Sequence, residues 1–274
     1  QKIVEAAIAS LLSDRALLLS GVPDTAKSWL SEHLTAAVTG DSSLLIQGTS
    51  GINEDNLRYG WNYAELIAKG PSEQALVQSP VMRAMQQGSI VRIEELSRIP
   101  TETQDALITI LSEKTLPIPE LNKSVHAIQG FNIIATANDN DKGIYEFSSA
   151  LKRRFNIIQL PLPQTFSEEL NIVVYRLKQL ASQLTLDFEE LKKQHIEKLI
   201  ILFRELRSGK TQDGKQKIKS TQANLSPAEA ISIIHQARIQ SHFFNQGTLQ
   251  TADLISGIVN SIKAENPDEL NILS

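Results

Sequence analysis

Apolar positions recur at helical spacing at the start of the chain (Ile3, Ala7, Ile8, Leu11, Leu12), and a continuous apolar run, Ala16-Leu17-Leu18-Leu19, follows and ends at Ser20-Gly21. The first pattern predicts a helix and the second a buried strand. Residues 29–38 return to the helical period, and 43–47 (SLLIQ) are short and apolar enough for a second buried strand. Residues 49–73, punctuated by glycine and proline around Tyr59-Gly60-Trp61-Asn62-Tyr63, interrupt the alternation and read as an insertion with a short helix near 64–68. A helix over 81–87 leads into Ile90-Val91-Arg92-Ile93, a strand that ends in Glu94 and Glu95. Thr101 and Gln104 satisfy a Thr-x-x-Gln capping box ahead of a helix reaching Glu113. Arms at 115–119 and 125–128 predict a hairpin. Residues 131–136 form another buried strand ending near Asn138, and 157–160 one more.

Strands alternating with helices imply a parallel sheet covered on both faces, with ligands at the carboxyl ends of its strands. Pro161-Leu162-Pro163 breaks this pattern, and helical periods over about 165–184, 187–207, 226–242 and 248–263 follow. The expected division is an α/β domain over 1–163 and a helical domain over 164–274. The loop from Ser208 to Asn224 holds Lys210, Lys215, Lys217 and Lys219, which read as a solvated surface before a binding patch.

The composition places this chain among globular proteins: 274 residues, 41% hydrophobic and 21% charged. A net charge of −4 excludes a chain-wide basic field of the kind that drives non-specific nucleic-acid binding. The absence of cysteine removes disulfides, a thiolate nucleophile and Cys-type zinc sites. No apolar run approaches a membrane span, so the chain reads as soluble and cytoplasmic. The five histidines (His33, His126, His195, His235, His242) show no metal-ligand spacing, and only His235 and His242 share a predicted helix face. Trp61 with Tyr59 and Tyr63 fits either an exposed partner-binding cluster or a small satellite core.

Gly21-Val22-Pro23-Asp24-Thr25-Ala26-Lys27-Ser28, leading into Trp29, follows a strand and opens a helix. It matches G-x-x-x-x-G-K-[ST] except that Ala26 replaces the second glycine, and it looks like a Walker A phosphate loop. Such a loop aims backbone N–H groups and a helix N-terminus at phosphate, with Lys27 on the β and γ oxygens and Ser28 on Mg²⁺. Asp24 is awkward there, because a carboxylate in a phosphate cradle repels its ligand unless it points away. Glu94 and Glu95 divide naturally into a residue holding Mg²⁺ through water and a residue polarising the attacking water. Asn138 ends the next strand, where its amide can orient that water. Arg153 and Arg154 precede an apolar run and are candidates for a guanidinium inserted into a neighbouring subunit's site.

This order of phosphate loop, paired acids, hairpin, Asn-ended strand, Arg-Arg-Phe and helical domain resembles the MoxR branch of the AAA+ ATPases over nearly the whole chain. The resemblance implies a P-loop AAA+ parallel-sheet sandwich followed by a small all-α lid, with ATP and Mg²⁺ as cofactors. It implies that Lys27 and Ser28 are Walker A, Glu94 and Glu95 Walker B, Asn138 sensor 1, and Arg154, with Arg153 beside it, the arginine finger. It also implies a ring homo-oligomer, a hexamer, that remodels a protein client or works with a von Willebrand factor A domain partner. Three positions depart from the branch: Asp24 where it has Gly, Glu94 where it has Asp, and Leu225-Ser226-Pro227-Ala228 without the sensor 2 arginine. A nucleotide-binding scaffold with little hydrolysis and a ring translocase on DNA are the alternatives. The second is disfavoured because the hairpin sets only Lys114, Lys123 and His126 against Glu113 and Glu120. A small-molecule P-loop kinase accounts for the loop but not for Asn138, Arg154 and the helical lid together.

Overall fold

The computed structural model describes residues 2–13, 15–138, 145–183, 193–211, 213–217, 225–244 and 251–265. It divides into two compact units, Gln1–Pro161 and Leu162–Ser274. In the first, strands β1 (Ala16–Gly21), β2 (Leu45–Gln47), β5 (Ile90–Glu94), β8 (Asn132–Asn138) and β9 (Phe155–Gln159) form one sheet in the order β2-β5-β8-β1-β9. Every pairing in it is parallel.

The period of two in these strands sends alternate side chains to opposite faces. Leu17, Leu19, Ile90 and Ile134 cluster with Ala7 of α1 (Lys2–Leu11) and Leu34 of α2 (Lys27–Thr39). Ala16, Leu18, Val91, Ile93, Ile133 and Ala135 pack on the other side with Val81, Met82 and Met85 of α5 (Pro80–Gln87) and Leu107 and Ile110 of α7 (Ala106–Glu113). Ser79 starts α5 by accepting from the Met82 N–H, with Pro80 at its first position. Both are favoured helix-start residues.

The inserted stretch is more structured than its pattern suggests, and it extends to Gln78. It holds α3 (Glu54–Leu57), α4 (Tyr63–Lys69) and an antiparallel pair, β3 (Tyr59–Trp61) with β4 (Leu76–Gln78). Three-residue strands show no readable period, so only the α4 region was legible. The aromatic cluster divides: Tyr59 is buried, Trp61 packs edge-on against it at 6.0 Å, and Tyr63 is exposed. The capping box at Thr101 does not form. Pro100 occupies the N-cap, the Thr101 hydroxyl donates to Glu146 O at 2.9 Å, and the fully buried Gln104 donates to Ile99 O at 2.7 Å. The helix is also interrupted at Asp105 between α6 (Thr101–Gln104) and α7. The hairpin consists of β6 (Thr115–Ile118) and β7 (Lys123–His126) in antiparallel register, and a short helix, α8 (Ser149–Lys152), precedes β9. Tyr59 Oη donates to Glu120 at 2.8 Å and Arg58 to Pro117 O at 2.9 Å, which joins this hairpin to the insertion.

The second unit holds α9 (Phe166–Gln183), α10 (Lys193–Ser208), α11 (Pro227–Phe244) and α12 (Thr251–Glu265) around Val173, Leu177, Ile200, Phe203 and Ile234. Buried Glu169 accepts from Arg207 at 2.8 and 2.9 Å and from Arg204 at 3.0 Å. A Cβ on Gly257 would lie 2.7 Å from Ile233 Cγ2, so glycine permits the close approach of α12 to α11. The first residues expected for the helices at 187–207 and 248–263, and Lys219, lie outside the described residues. No helix among the described residues is long and apolar enough to cross a membrane.

Candidate functional site

The loop from Gly21 to Ala26 joins β1 to α2 at the carboxyl end of the sheet. Gly21 has φ +153°, and a Cβ there would sit 2.6 Å from Leu160 O. Asp24 and Ala26 both adopt left-handed backbone, with φ +62° and +61°. Asp tolerates this region better than most residues, which gives Asp24 a conformational reason to be present, and it is exposed. Ala26 takes the conformation for which the motif's glycine is suited. The Lys27 side chain is buried and donates to Gly21 O at 3.0 Å, Val22 O at 2.7 Å and Thr25 Oγ1 at 3.4 Å. Its ammonium is thereby held within the loop. Trp29 is exposed and stacks on His33 with ring centroids 3.9 Å apart.

α2 turns a polar stripe, Lys27, Ser31 and Thr35, toward the sheet. The reason lies across from it. Glu94, at the end of β5, is 4% exposed and receives four bonds: Ser28 Oγ (2.7 Å) and Thr136 Oγ1 (2.6 Å) to Oε2, and Ser31 Oγ (2.5 Å) and Arg92 Nη2 (2.9 Å) to Oε1. Burial pushes this carboxyl's pKa up, but the four donors outweigh burial and hold it below the ordinary glutamate value. The Ser28 bond ties this end of the loop to an acid 66 residues away.

Glu95 turns left-handed (φ +53°), donates its N–H to Thr136 Oγ1 at 2.9 Å and pairs through Oε2 with Arg98 Nε at 2.9 Å. The neighbouring Gly48 donates its N–H to Glu94 O at 2.7 Å, and a Cβ on it would lie 2.2 Å from Glu95 O. Asn138 is brought beside the loop by register, because Gly21 pairs with Asn138 across β1 and β8. The arginines lie elsewhere. Arg154 precedes β9, where Phe155 pairs with Ala16 at the amino end of β1, five residues or about 16 Å along the strand from Gly21. Its guanidinium donates to Ser112 Oγ (2.8 Å) and Ala150 O (2.6 Å), and Arg153 beside it is exposed.

The structure therefore brings together Gly21 to Ser28, Glu94, Glu95 and Asn138 at the ends of adjacent strands β5, β8 and β1, and keeps Arg153 and Arg154 apart from them. Ser31, Thr136, Gly48 and Arg92 were missed as parts of the site. Arg92 carried a signal, since it is a charge inside an otherwise apolar strand. A hydroxyl and an ionised carboxylate suit Mg²⁺, which takes few protein ligands beside phosphate and water. No cluster of three or more His, Cys, Asp or Glu able to hold a metal occurs among the described residues.

A sheet with a G-x-x-x-x-x-K-S loop and paired acids at its carboxyl end has the arrangement of a P-loop nucleotide-binding protein. The family model for the AAA domain of the dynein-related subfamily matches residues 16–155, just over half of this chain, and the chain belongs to that family, as an AAA+ ATPase. YehL of Escherichia coli (strain K12) is 38% identical over 269 residues, which is 97% of this chain and 74% of that protein. SH1500 of Staphylococcus haemolyticus (strain JCSC1435) is 30% identical over 146 residues, 53% of this chain and 54% of that protein. Among solved structures, NtrX from Brucella abortus in complex with ADP superposes with a TM-score of 0.59 at 15% identity, over 92% of this chain and 52% of that one. The Thermotoga maritima RuvB Holliday junction branch migration motor gives 0.54 at 16% identity, over 94% and 66%. At these identities the likeness is one of fold: the α/β AAA+ architecture with an all-α lid.

Proposed function

We propose that this chain is a MoxR-like AAA+ ATPase that hydrolyses ATP at the subunit interfaces of a cytoplasmic homo-oligomeric ring, a hexamer, and uses the cycle to remodel a protein client or a von Willebrand factor A domain partner. The observation that carries the reading is the 2.7 Å bond from Ser28 to Glu94, which puts loop and acid strand within one site. In it, Lys27 and the loop N–H groups bind the β and γ phosphates. Ser28 and Glu94 hold Mg²⁺, which when bound neutralises phosphate charge. Glu95 accepts a proton from water as that water's oxygen bonds to the γ-phosphorus and the bond to the bridging oxygen breaks, releasing ADP and phosphate. Asn138 orients the same water.

Arg154, with Arg153 beside it, acts in trans, because about 16 Å of strand separates it from its own loop. The nucleic-acid alternative stays weak, since the hairpin sets only Lys114, Lys123 and His126 against Glu113 and Glu120. The test is complementation. Lys27→Ala is expected to lose ATP binding, and Arg154→Ala to bind ATP and lose turnover. In an equal mixture that exchanges subunits, about one interface in four joins an intact loop to an intact finger, so activity should return toward a quarter of the parent. Exchange without recovery would remove the trans assignment. ATP-dependent assembly without phosphate release would favour the scaffold alternative.

A further inference from the structure

The two acids at the end of β5 are each matched by an arginine from the same short stretch. Arg92 Nη2 lies 2.9 Å from Glu94 Oε1, and Arg98 Nε lies 2.9 Å from Glu95 Oε2. The side chains of the second pair are 44% and 34% exposed, so solvent screens it and its effect is small. The first is different. The Arg92 and Glu94 side chains are 8% and 5% exposed, and Arg92 sits in the middle of a strand whose apolar residues, Ile90, Val91 and Ile93, belong to the core. Its period-two position faces α2, where Nε donates to Ser31 Oγ at 3.2 Å and Nη2 to Ser28 O at 3.5 Å, while Nη1 donates to Ser42 O, beyond the helix, at 3.4 Å. A buried guanidinium is costly to desolvate, and removing it alone would leave Glu94 an uncompensated buried charge. Its structural return is neutralisation of Glu94, the acid bonded to Ser28.

We propose that Arg92 is a permanent countercharge for Glu94, and that nucleotide binding at this site consequently depends only weakly on Mg²⁺. The inference rests on the nucleotide-site reading above. Near two ionised carboxylates, a divalent cation assists a nucleotide largely by cancelling repulsion between phosphates and acids. Here the formal charges of Arg92, Glu94, Glu95 and Arg98 sum to zero before any cation binds. The charge of Arg92 repels a cation placed at Ser28 and Glu94. Metal affinity is therefore lowered while affinity for the bare nucleotide is raised.

The experiment is calorimetric titration of the full chain with ADP, in excess Mg²⁺ and in EDTA. The parent should weaken by less than about fivefold in EDTA, whereas Arg92→Met, which keeps length and loses charge, should weaken about tenfold more than the parent does. Electron paramagnetic resonance of Mn²⁺ added to the ADP complex should show tighter metal binding in Arg92→Met than in the parent, and Arg92→Lys should restore the parental pattern. If Arg92→Met fails to fold by circular dichroism, the parent and the Lys variant decide. A parental loss in EDTA of about fivefold or more would overturn the proposal. So would a folded Met variant with the parent's metal dependence. Absence of binding in both buffers, or parental affinity in Lys27→Ala, would overturn the nucleotide-site reading itself, which is a separate result.

Discussion

Replacing Ala26 by glycine should stabilise the first unit. Ala26 is the N-cap of α2 with φ +61° and ψ +27° and makes no side-chain cap bond, so its methyl group contributes no capping bond to offset its strain. An L-residue in this conformation brings Cβ against the following carbonyl, at about 1–2 kcal/mol. Glycine avoids that cost but frees the unfolded chain, which takes back about 0.4–1 kcal/mol. The balance is about 0.5–1 kcal/mol in favour of Ala26→Gly. For a unit of this size, that raises the melting temperature by about 1–4 °C. The other end of the same helix supplies the mirror experiment: Gly40 has φ +77°, and nothing lies within 4 Å of an added Cβ. Gly40→Ala should, by the same balance, cost about 0.5–1 kcal/mol. Differential scanning calorimetry of both variants measures the pair. If Ala26→Gly lowers the melting temperature, or if the two variants shift it in the same direction, the strain argument for the loop is wrong.

Glu95→Gln should bind ATP as the parent does and stall, because a water-orienting carboxylate acts on the transition state; phosphate release at the parental rate would move that role elsewhere. Gly48→Ala forces a Cβ to 2.2 Å from Glu95 O; chemical denaturation should show a loss of about 1–3 kcal/mol, as for overpacked sites, and turnover should fall more than ADP affinity. Burial, with the bond to Glu120 next, pushes the Tyr59 phenol up to about 12 from its usual 10. Its contribution to stability is thus complete below pH 10 and is lost as pH rises through 12. Tyr59→Phe should be about 1 kcal/mol less stable at neutral pH for want of that hydrogen bond, yet lose less stability than the parent between pH 10 and 12; parallel decline would refute the assignment.

Local pattern was enough for much of this protein. The apolar runs at Ala16, Ile90 and Ile133 are strands because a parallel sheet covered on both faces demands continuous apolar sequence. Gly21 to Ser28 was legible as a candidate phosphate loop because such a strand-to-helix turn constrains neighbouring residues. Glu94, Glu95 and Asn138 stood out because strand ends place side chains at the ligand edge. What the pattern lacked was set by partners distant in sequence. Ser31 and Thr136 look like ordinary helix and strand residues until Glu94 is placed against them. Gly48 is one glycine among 13 until the backbone of Glu95 closes on it. The insertion's three-residue strands exist only because each pairs with the other, and Gln104 leaves its expected cap because a buried carbonyl at Ile99 needs a donor. Arg92 is the clearest case. Its charge was visible in a strand that should have been apolar, but whether it would pair, with which acid and with what effect on a cation was decided only when the fold turned it toward α2 and closed the protein over it, since a buried charge is defined by what surrounds it.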